Sequence, residues 1–262
     1  MDLGLKGRKA LVLASSKGLG RGVAEALAAE GADVLLTGRD EAALQDAAET
    51  ITRRGHGRAD WVRADLSSAD FAKTLAAEAV CRMGQIDILV NNSGGPKPGP
   101  ALEMAPAELM AQAQTMVASL IELSNLLVPA MADRGWGRVL TLASSGVEQP
   151  IPNLALSNTL RGALAGWNKT LAAEVAAKGV TCNMLLPGRI HTDRVDQLDA
   201  AAAKRQGKDI EQVRAASRAS IPMGRYGRVE EYAAVAAFLC SVPAGYVTGA
   251  RIRCDGGLIR GI

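Results

Sequence analysis

Short apolar runs alternate along the chain with longer segments in which apolar residues recur at helical spacing. Short segments of four to seven residues, most of them rich in apolar side chains, predict strands at 9–14, 33–37, 60–63, 86–91, 137–143, 180–186 and 250–254. The longer segments predict helices at 20–30, 40–54, 68–83, 103–134, 153–178, 193–222 and 229–240, the fourth of which allows an interruption. Gly31 is a typical C-terminal stop for the first helix. Asp40 and Ser67 or Ser68 are predicted N-caps of the second and third.

This alternation of strands and helices predicts an α/β fold. Parallel strands joined by right-handed helical crossovers form a doubly wound, Rossmann-like sheet with helices on both faces. The strands are too few for an eightfold barrel. No Pro/Gly/Ser linker divides the sequence, so residues 1–262 are predicted to form a single domain. The Pro- and Gly-rich segment 94–100 follows a strand end, where active-site loops of such sheets lie.

Composition narrows the class of protein without identifying it. The 262 residues are 48% hydrophobic and 22% charged, with a net charge of +3 spread along the chain, which does not indicate a nucleic-acid surface. No apolar run approaches the roughly 20 residues of a membrane span, and the first residues lack the apolar core of a signal peptide, so we expect a cytoplasmic protein with no membrane partner. The four cysteines, Cys81, Cys182, Cys240 and Cys254, are widely spaced. We expect buried thiols in a reducing compartment, with no metal site and no disulfide.

Tyrosine and histidine are scarce. The three tyrosines, Tyr226, Tyr232 and Tyr246, all lie late in the chain. Of the two histidines, His56 lies in a polar loop and is expected to be solvated. A mechanism that needs a tyrosine or histidine acid/base in the first 180 residues therefore has almost no candidates.

A glycine-containing turn connects the first strand to the first helix. Glycines at this point let a pyrophosphate approach backbone N–H groups at the helix N-terminus. The spacing G-x-G-x-x-G is absent, and the alternative is a plain strand-to-helix connection. The position in the first βαβ unit favours a phosphate site. The residues predicted to bind a cofactor here are Ser15, Ser16, Lys17, Gly18, Leu19 and Gly20.

The end of the second strand favours NADP over NAD. An acidic residue at this position would bind a ribose 2′-hydroxyl, whereas Arg39 offers a planar charged fork suited to a 2′-phosphate. Lys17 adds a second cation on the same side. The alternative is that Arg39 is a solvated surface charge.

Over nearly its whole length the chain resembles a classical short-chain dehydrogenase/reductase, and it is similar to the 3-oxoacyl-acyl-carrier-protein reductase-like members. The turn 14–20 resembles the family's TGxxxGxG, with Ala14 replacing the first glycine. The motifs that follow in the family's order are Asp65-Leu66, Asn91-Asn92-Ser93-Gly94, Pro187-Gly188 with Thr192, Gly249, and Asp255-Gly256-Gly257. The resemblance implies that further cofactor contacts come from Asp65, Leu66, Asn92, Gly94, Arg161, Pro187, Gly188, Ile190 and Thr192. It also implies that segment 193–223 is a small helical substrate lobe within the domain.

The family's catalytic tetrad of Asn, Ser, Tyr and Lys is degenerate in this sequence. The strand 137–143 places the family's serine at Ser144. The segment Lys169-Thr170-Leu171-Ala172 resembles a run in the family's helix, and counting back from it puts the tyrosine position at Ser157 and the lysine position at Arg161. The spacing from Ser144 to Ser157 is the family's, so the alignment from the strand and the alignment from the helix agree. The asparagine position falls on Met116. Only the serine of the tetrad is retained.

These substitutions change the expected chemistry. Ser157 and Arg161 are four residues apart, so they share a helix face. Arg161 can supply charge near the nicotinamide ribose but cannot shuttle a proton, because an arginine pKa lies above about 12. Ser157 is too short to reach the position of a tyrosine hydroxyl unless a water fills the gap. Loss of a positioned general acid typically costs about 10²–10⁴-fold in rate.

Three functions remain open. The preferred one is an NADP-dependent oxidoreductase with a non-standard active site, acting on a small carbonyl or hydroxy compound, its proton coming from water held by Ser144 and Ser157 or from His191. The second is a non-redox lyase or retro-aldol enzyme, in which Arg161, Arg189 and Arg194 would bind an anionic substrate. The favoured explanation of these arginines is instead ribose contact for Arg161 and lobe salt bridges for the other two. The third is a cofactor-binding pseudoenzyme or sensor. From the resemblance we also expect a homo-oligomer, a dimer or a tetramer.

Overall fold

The computed structural model describes residues 1–261, which fold around a seven-stranded, wholly parallel sheet. The strands are β1 Lys9–Val12, β2 Asp33–Gly38, β3 Ala59–Arg63, β4 Ile88–Asn91, β5 Gly137–Leu142, β6 Val180–Pro187 and β7 Arg251–Cys254. Their order is β3-β2-β1-β4-β5-β6-β7. The sheet is therefore built outward in both directions from β1, and the strand order reverses between β1 and β4. The predicted doubly wound α/β fold is confirmed.

Helices cover both faces of the sheet. They are α1 Gly18–Ala29, α2 Glu41–Arg54, α3 Phe71–Met83, α4 Pro106–Ala113, α5 Ser119–Asp133, α6 Ala155–Val175, α7 Asp193–Gln206, α8 Ile210–Ala219 and α9 Val229–Leu239. Alternate residues of each strand face opposite layers. Val12 and Leu36 pack with α1, α2 and α9, whereas Leu11 and Leu35 pack with α3, α5 and α6.

The predicted helix 103–134 is divided into segments. A separate 3-10 turn, Ala101–Glu103, ends at its first residue, and a π-helical segment, Gln114–Ala118, separates α4 from α5. By length and composition the stretch Pro106–Asp133 would suffice to cross a membrane, but this is weak evidence, since core helices of soluble proteins pass the same test. One side of α5 packs in the core through residues such as Leu123 and Leu127.

The predicted serine cap of α3 is wrong. The helix begins at Phe71 with Asp70 at the N-cap position, and neither Ser67 nor Ser68 caps it. Ser67 instead donates its backbone N–H and its hydroxyl to Asp65 Oδ1, at 3.0 and 2.8 Å. The cap of α2 is as predicted, because Asp40 Oδ1 accepts from the backbone N–H of Ala43 at 3.1 Å.

The cysteines only partly match the expectation of buried thiols. Cys182 and Cys240 are buried, and burial raises the pKa of each to about 12. Cys81 is exposed and Cys254 is half-buried, so the expectation is wrong for these two. Cys81 lies in the last turn of α3, on the face turned away from the sheet.

Candidate active site

The carboxyl ends of the parallel strands open into one cavity of about 1150 Å³. In a doubly wound sheet, ligands bind at this edge, beside the point where the strand order reverses. Most of the predicted site residues line the cavity: Ser16, Lys17, Gly18, Leu19, Arg39, Asp65, Leu66, Asn92, Gly94, Ser144, Ser157, Arg161, Pro187, Gly188, Ile190 and Thr192. Residues from distant parts of the chain therefore meet at one site.

Two of the predicted cofactor residues do not line it. Ser15 is fully buried, and its hydroxyl donates to the Val12 carbonyl and accepts from the backbone N–H of Thr37. Gly20 packs so tightly that a Cβ there would lie 2.5 Å from the Ala14 carbonyl oxygen. Both residues hold the turn in place and do not themselves offer a ligand surface.

The turn leaves the N-terminus of α1 open to an anion. Lys17 occupies the N-cap position without a side-chain cap, and the first turn of the helix carries no acidic residue. The uncapped N–H groups and the helix dipole favour negative charge at this end. Asn92 Nδ2 donates to the Ala14 carbonyl at 3.2 Å, which ties the end of β4 to the turn.

The adenosine end of the cavity carries opposite charges in separate places. Arg39 follows β2, is exposed, and has no carboxylate within ion-pair distance in the part of the chain that the structure describes. Asp65 follows β3. Hydrogen bonds from the backbone N–H and hydroxyl of Ser67 lower the pKa of its carboxyl, with a smaller contribution from the charge of Arg39.

At the other end of the cavity, Ser144 follows β5 while Ser157 and Arg161 lie one turn apart on α6. Met116 lies in the π-helical segment and is 1% exposed, packed against Leu156 and Leu160. The position that resemblance assigns to a catalytic asparagine is therefore apolar and filled.

Both serine hydroxyls have their protons free. Ser144 Oγ accepts from the backbone N–H of Gly146 at 3.1 Å, and Ser157 Oγ accepts from Arg161 Nε at 3.3 Å. Neither hydroxyl donates to a protein acceptor among residues 1–261. Since a hydroxyl carries one donor beside its acceptor lone pairs, each can donate to an oxygen in the cavity.

Arg161 is a buried cation that has no counter-ion among residues 1–261. The residue is 9% exposed, and besides Ser157 it donates only to the Leu142 carbonyl, at 3.4 Å. No carboxylate of the described residues lies within 4.0 Å of its guanidinium. Burial lowers the pKa of Arg161 to about 10; interaction with Tyr232 opposes this shift, and a smaller repulsion from Arg194 adds to it. The side chain is therefore still charged at neutral pH.

The other two arginines of the proposed anion pocket differ from each other. Arg189 Nη1 lies 2.8 Å from the buried carboxylate of Asp199, so its charge is neutralised within the lobe. Arg194 Nη2 donates to the Pro96 carbonyl at 2.8 Å and contacts the loop at Gly95.

No tyrosine or histidine supplies the missing acid. Tyr226 donates to Asp199 Oδ2 at 2.8 Å, Tyr232 donates to the Leu185 carbonyl at 3.1 Å, and Tyr246 is fully exposed. The side chain of His191 is 67% exposed, 3.7 Å from Asp196, and does not line the cavity. His56 is exposed, as predicted.

One wall of the cavity is not predicted from the sequence. The loop 149–154 lines it, together with Ser217 and Ser220 at the end of α8. Asn158 holds this loop by donating from Nδ2 to the Ile151 carbonyl at 3.0 Å. Two prolines shortly after the end of β5, Pro150 and Pro152, were the available signal.

The fold, the motif order and the site together define a short-chain dehydrogenase/reductase, and the chain belongs to this family. Residues 13–259 match the family model described as enoyl-(acyl carrier protein) reductase. The 3-oxoacyl-[acyl-carrier-protein] reductase FabG of Escherichia coli K12 is 33% identical over 258 residues, which is 98% of this chain and 99% of the relative. The NADPH and L-sorbose complex of L-sorbose reductase from Gluconobacter frateurii has a TM-score of 0.93 at 30% identity, covering 100% of both chains. A 3-oxoacyl (acyl-carrier-protein) reductase from Agrobacterium tumefaciens C58 with NADP bound has a TM-score of 0.89 at 30% identity, covering 97% of this chain and 95% of that one.

Proposed function

We propose that the protein is an NADP-dependent oxidoreductase that acts on a small carbonyl or hydroxy compound through Ser144, Ser157 and Arg161. The observation that carries the proposal is the contact of Arg161 Nε with Ser157 Oγ at 3.3 Å inside the cavity. That contact orients the Ser157 hydroxyl as a donor and places a positive charge directly behind it. A carbonyl oxygen that gains negative charge is stabilised by such an arrangement.

The residues at the other end of the cavity fit NADP. The N-terminus of α1 has no side-chain cap and no acidic residue in its first turn, so its backbone N–H groups suit a pyrophosphate. Arg39 has no carboxylate partner among the described residues and suits a 2′-phosphate. When bound, NADPH supplies a hydride and its two electrons to the substrate carbon.

The protein polarises the substrate oxygen, but no side chain donates the proton. The Ser144 and Ser157 hydroxyls donate to the substrate oxygen, and the charge of Arg161 acts through Ser157 on the same oxygen. Arg161 keeps its own proton, because its pKa of about 10 lies far above neutrality. The proton that completes the reaction therefore comes from water in the cavity.

The substrate is a small molecule that carries negative charge, since the cavity contains the uncompensated cation Arg161. The protein is a homo-oligomer, which the exposed apolar residues Met110 on α4 and Leu126 on α5 support, and it works in the cytoplasm.

The first test is titration with NADPH and NADH, followed by fluorescence. We expect NADPH to bind more tightly than NADH, and absence of binding to both would refute the proposal. The NADPH complex is then incubated with a panel of small ketones, aldehydes and oxo acids. Oxidation of NADPH supports the oxidoreductase, product without NADPH oxidation indicates non-redox chemistry, and binding without any product indicates a sensor.

The register of the active site has its own test. The double change Ser157→Tyr with Arg161→Lys restores the family's tyrosine and lysine and is expected to raise reduction of simple ketones. Because Met116 remains in place, the triple variant with Met116→Asn serves as the comparison. No gain from either variant would contradict the assignment of these positions.

A further inference from the structure

Charge in the cavity is unevenly distributed. The cations that line it are Lys17, Arg39, Arg161, Arg189, Arg194 and Arg205, and the only acids on its wall within residues 1–261 are Asp65 and Asp193. Asp193 lies 3.7 Å from Lys17, and Asp65 is at the adenosine end. The substrate end therefore holds arginines but no acid on its wall.

Arg161 makes this excess costly. A buried charge without an ion-pair partner is destabilising unless a ligand compensates it. The negative charges of NADP are its phosphates, which the turn at the N-terminus of α1 and Arg39 accommodate at the other end of the cavity. The nicotinamide ribose is neutral and cannot neutralise the guanidinium. The remaining source of negative charge is the substrate.

The contact with Ser157 fixes where that charge must lie. Arg161 Nε is in direct hydrogen-bond contact with the hydroxyl that polarises the substrate oxygen. The two Nη atoms belong to the same rigid, planar fork and have donors to spare, since only one bond, from Nη1 to the Leu142 carbonyl, is made. An anionic group held by this fork and an oxygen held by Ser157 would therefore lie close together, an arrangement that suits groups on neighbouring carbons of one substrate.

We propose that the substrate is a 2-oxo acid, reduced to the 2-hydroxy acid, with its carboxylate on the Nη atoms of Arg161 and its keto oxygen on the Ser144 and Ser157 hydroxyls. This inference rests on the proposed function. Arg194, whose charge acts on Arg161, adds positive potential at the rim beside Gly95. The carboxylate brings the counter-ion that residues 1–261 do not supply to Arg161.

The reaction balances without a further reactant. One hydride passes from NADPH to the keto carbon, forming a C–H bond while the carbon–oxygen π bond breaks. The electron pair of that bond goes to the oxygen, which takes a proton from water. The products are NADP⁺ and the 2-hydroxy acid, and the proton is drawn from solvent.

The test compares each acid with its methyl ester, which keeps the ketone and removes the charge. 2-Oxobutyrate and phenylpyruvate are paired with their methyl esters, and kcat/KM for NADPH oxidation is measured for all four. In parallel, binding of 2-oxobutyrate and of its ester to the NADP⁺ complex is measured by calorimetry, which needs no turnover. We expect a preference of about 10- to 100-fold for the acids, the range of a charge-assisted paired hydrogen bond.

Variants separate direct contact from general charge. Arg161→Gln is expected to abolish the preference of acid over ester, and Arg161→Lys to retain part of it. Arg205→Gln removes the same charge from an exposed position on the same wall and is the matched control, expected to leave the preference nearly unchanged. Circular dichroism and NADPH binding verify that each variant is folded.

Two outcomes overturn the inference. Equal turnover or binding of acid and ester by the wild-type protein would show that the substrate carboxylate is not recognised in the site. If Arg205→Gln lost the preference to the same extent as Arg161→Gln, the preference would come from non-specific attraction and not from contact of Arg161 with the carboxylate. The proposed function fails differently, through absence of NADPH binding or of carbonyl reduction across the whole panel.

Discussion

The Ser144 and Ser157 hydroxyls are the proposed hydrogen-bond donors to the substrate oxygen. Each accepts one hydrogen bond from a neighbouring N–H, and this leaves its own proton for the substrate. We expect Ser157→Ala and Ser144→Ala each to lower kcat by about 10²–10³-fold, as loss of one oxyanion donor does, with little change in NADPH affinity. Steady-state kinetics with a substrate found in the panel provides the measurement. Thr159→Ala, at an exposed position on the same helix, is the control, and an unchanged kcat in Ser157→Ala would contradict the mechanism.

Burial of the Arg161 charge is expected to lower the stability of the ligand-free protein, although activity requires this residue. Burial lowers its pKa from the ordinary arginine value to about 10, so the folded state disfavours the charged form relative to the unfolded chain. This cost is fully present below pH 10 and disappears as the pH rises through the unfolded value. Arg161→Met should therefore raise the Tm of the ligand-free protein at pH 7 while removing activity. For a chain of this size, about 2–4 °C is expected for each kcal/mol recovered, measured by calorimetry.

Arg161→Lys retains a charge and is the matched control for that measurement. It should keep most of the burial cost and melt close to the wild type. A Tm for Arg161→Met that falls below the wild type would show that the bonds to Ser157 and Leu142 outweigh the cost of burying the charge.

Single residues were predictable from sequence where they follow a motif, and not where they depend on a tertiary contact. Ser157 and Arg161 follow from counting along one helix, and both line the cavity. The contact between Arg194 and Pro96 joins residues 98 positions apart, and the pairing of Asp199 with Arg189 and Tyr226 joins two loops to a helix. No local pattern marks these partners, because distance in space is set by the sheet order.

Among the elements, the substrate lobe depends on one buried carboxylate. Asp199 on α7 is 0% exposed and accepts from Arg189 Nη1 and from the Tyr226 hydroxyl, both at 2.8 Å. These bonds join α7 to the segment after β6 and to the segment before α9. Asp199→Asn weakens both and leaves the charge of Arg189 without its partner beside the cavity.

We expect Asp199→Asn to lower the free energy of unfolding by about 1–3 kcal/mol, because two hydrogen bonds to a charged group are weakened and Arg189 loses its counter-ion. Substrate KM should rise while NADPH affinity changes little, since α7 lies beside the substrate end. Urea denaturation and steady-state kinetics measure the two effects. Tyr226→Phe, which removes one of the two bonds and keeps the carboxylate, should show a smaller change of the same kind. A variant as stable as the wild type would contradict the role of Asp199.

Element types were predictable and several boundaries were not. Apolar periodicity gave every strand and each main helix, since each buries one face. The N-terminus of α3 was misplaced because Asp65 draws Ser67 into the loop instead of leaving it to cap the helix. The break between α7 and α8 occurs at Gly207, whose φ of 62° ends a helix, inside a segment that was predicted only as helical.

At the scale of the whole molecule, the parallel sheet gathers the ends of distant strands at one edge. The turn after β1, Arg39 after β2 and Asp65 after β3 line one end of the cavity, and the segments after β5 and β6 line the other. The sequence predicts this gathering because strand-to-helix alternation determines where the carboxyl ends lie. The wall formed by loop 149–154 was not predictable, since loop conformation depends on what the loop packs against.

A ligand that spans this edge should stabilise the entire fold, and NADPH provides the measurement. At 100 times its Kd, a ligand that binds only the folded state adds about 2.7 kcal/mol, which corresponds to roughly 5–11 °C in Tm for a chain of this size. NADH at the same concentration should raise Tm less, because it lacks the 2′-phosphate that we assign to Arg39. Arg39→Ala should remove the difference between the two cofactors while leaving the Tm of the ligand-free protein unchanged, since Arg39 is exposed. Arg63→Ala, which removes an exposed cation from the end of the neighbouring strand β3, is the control and should preserve the difference. A variant Arg39→Ala that still distinguishes NADPH from NADH would move the phosphate contact elsewhere, with Lys17 the next side chain to change.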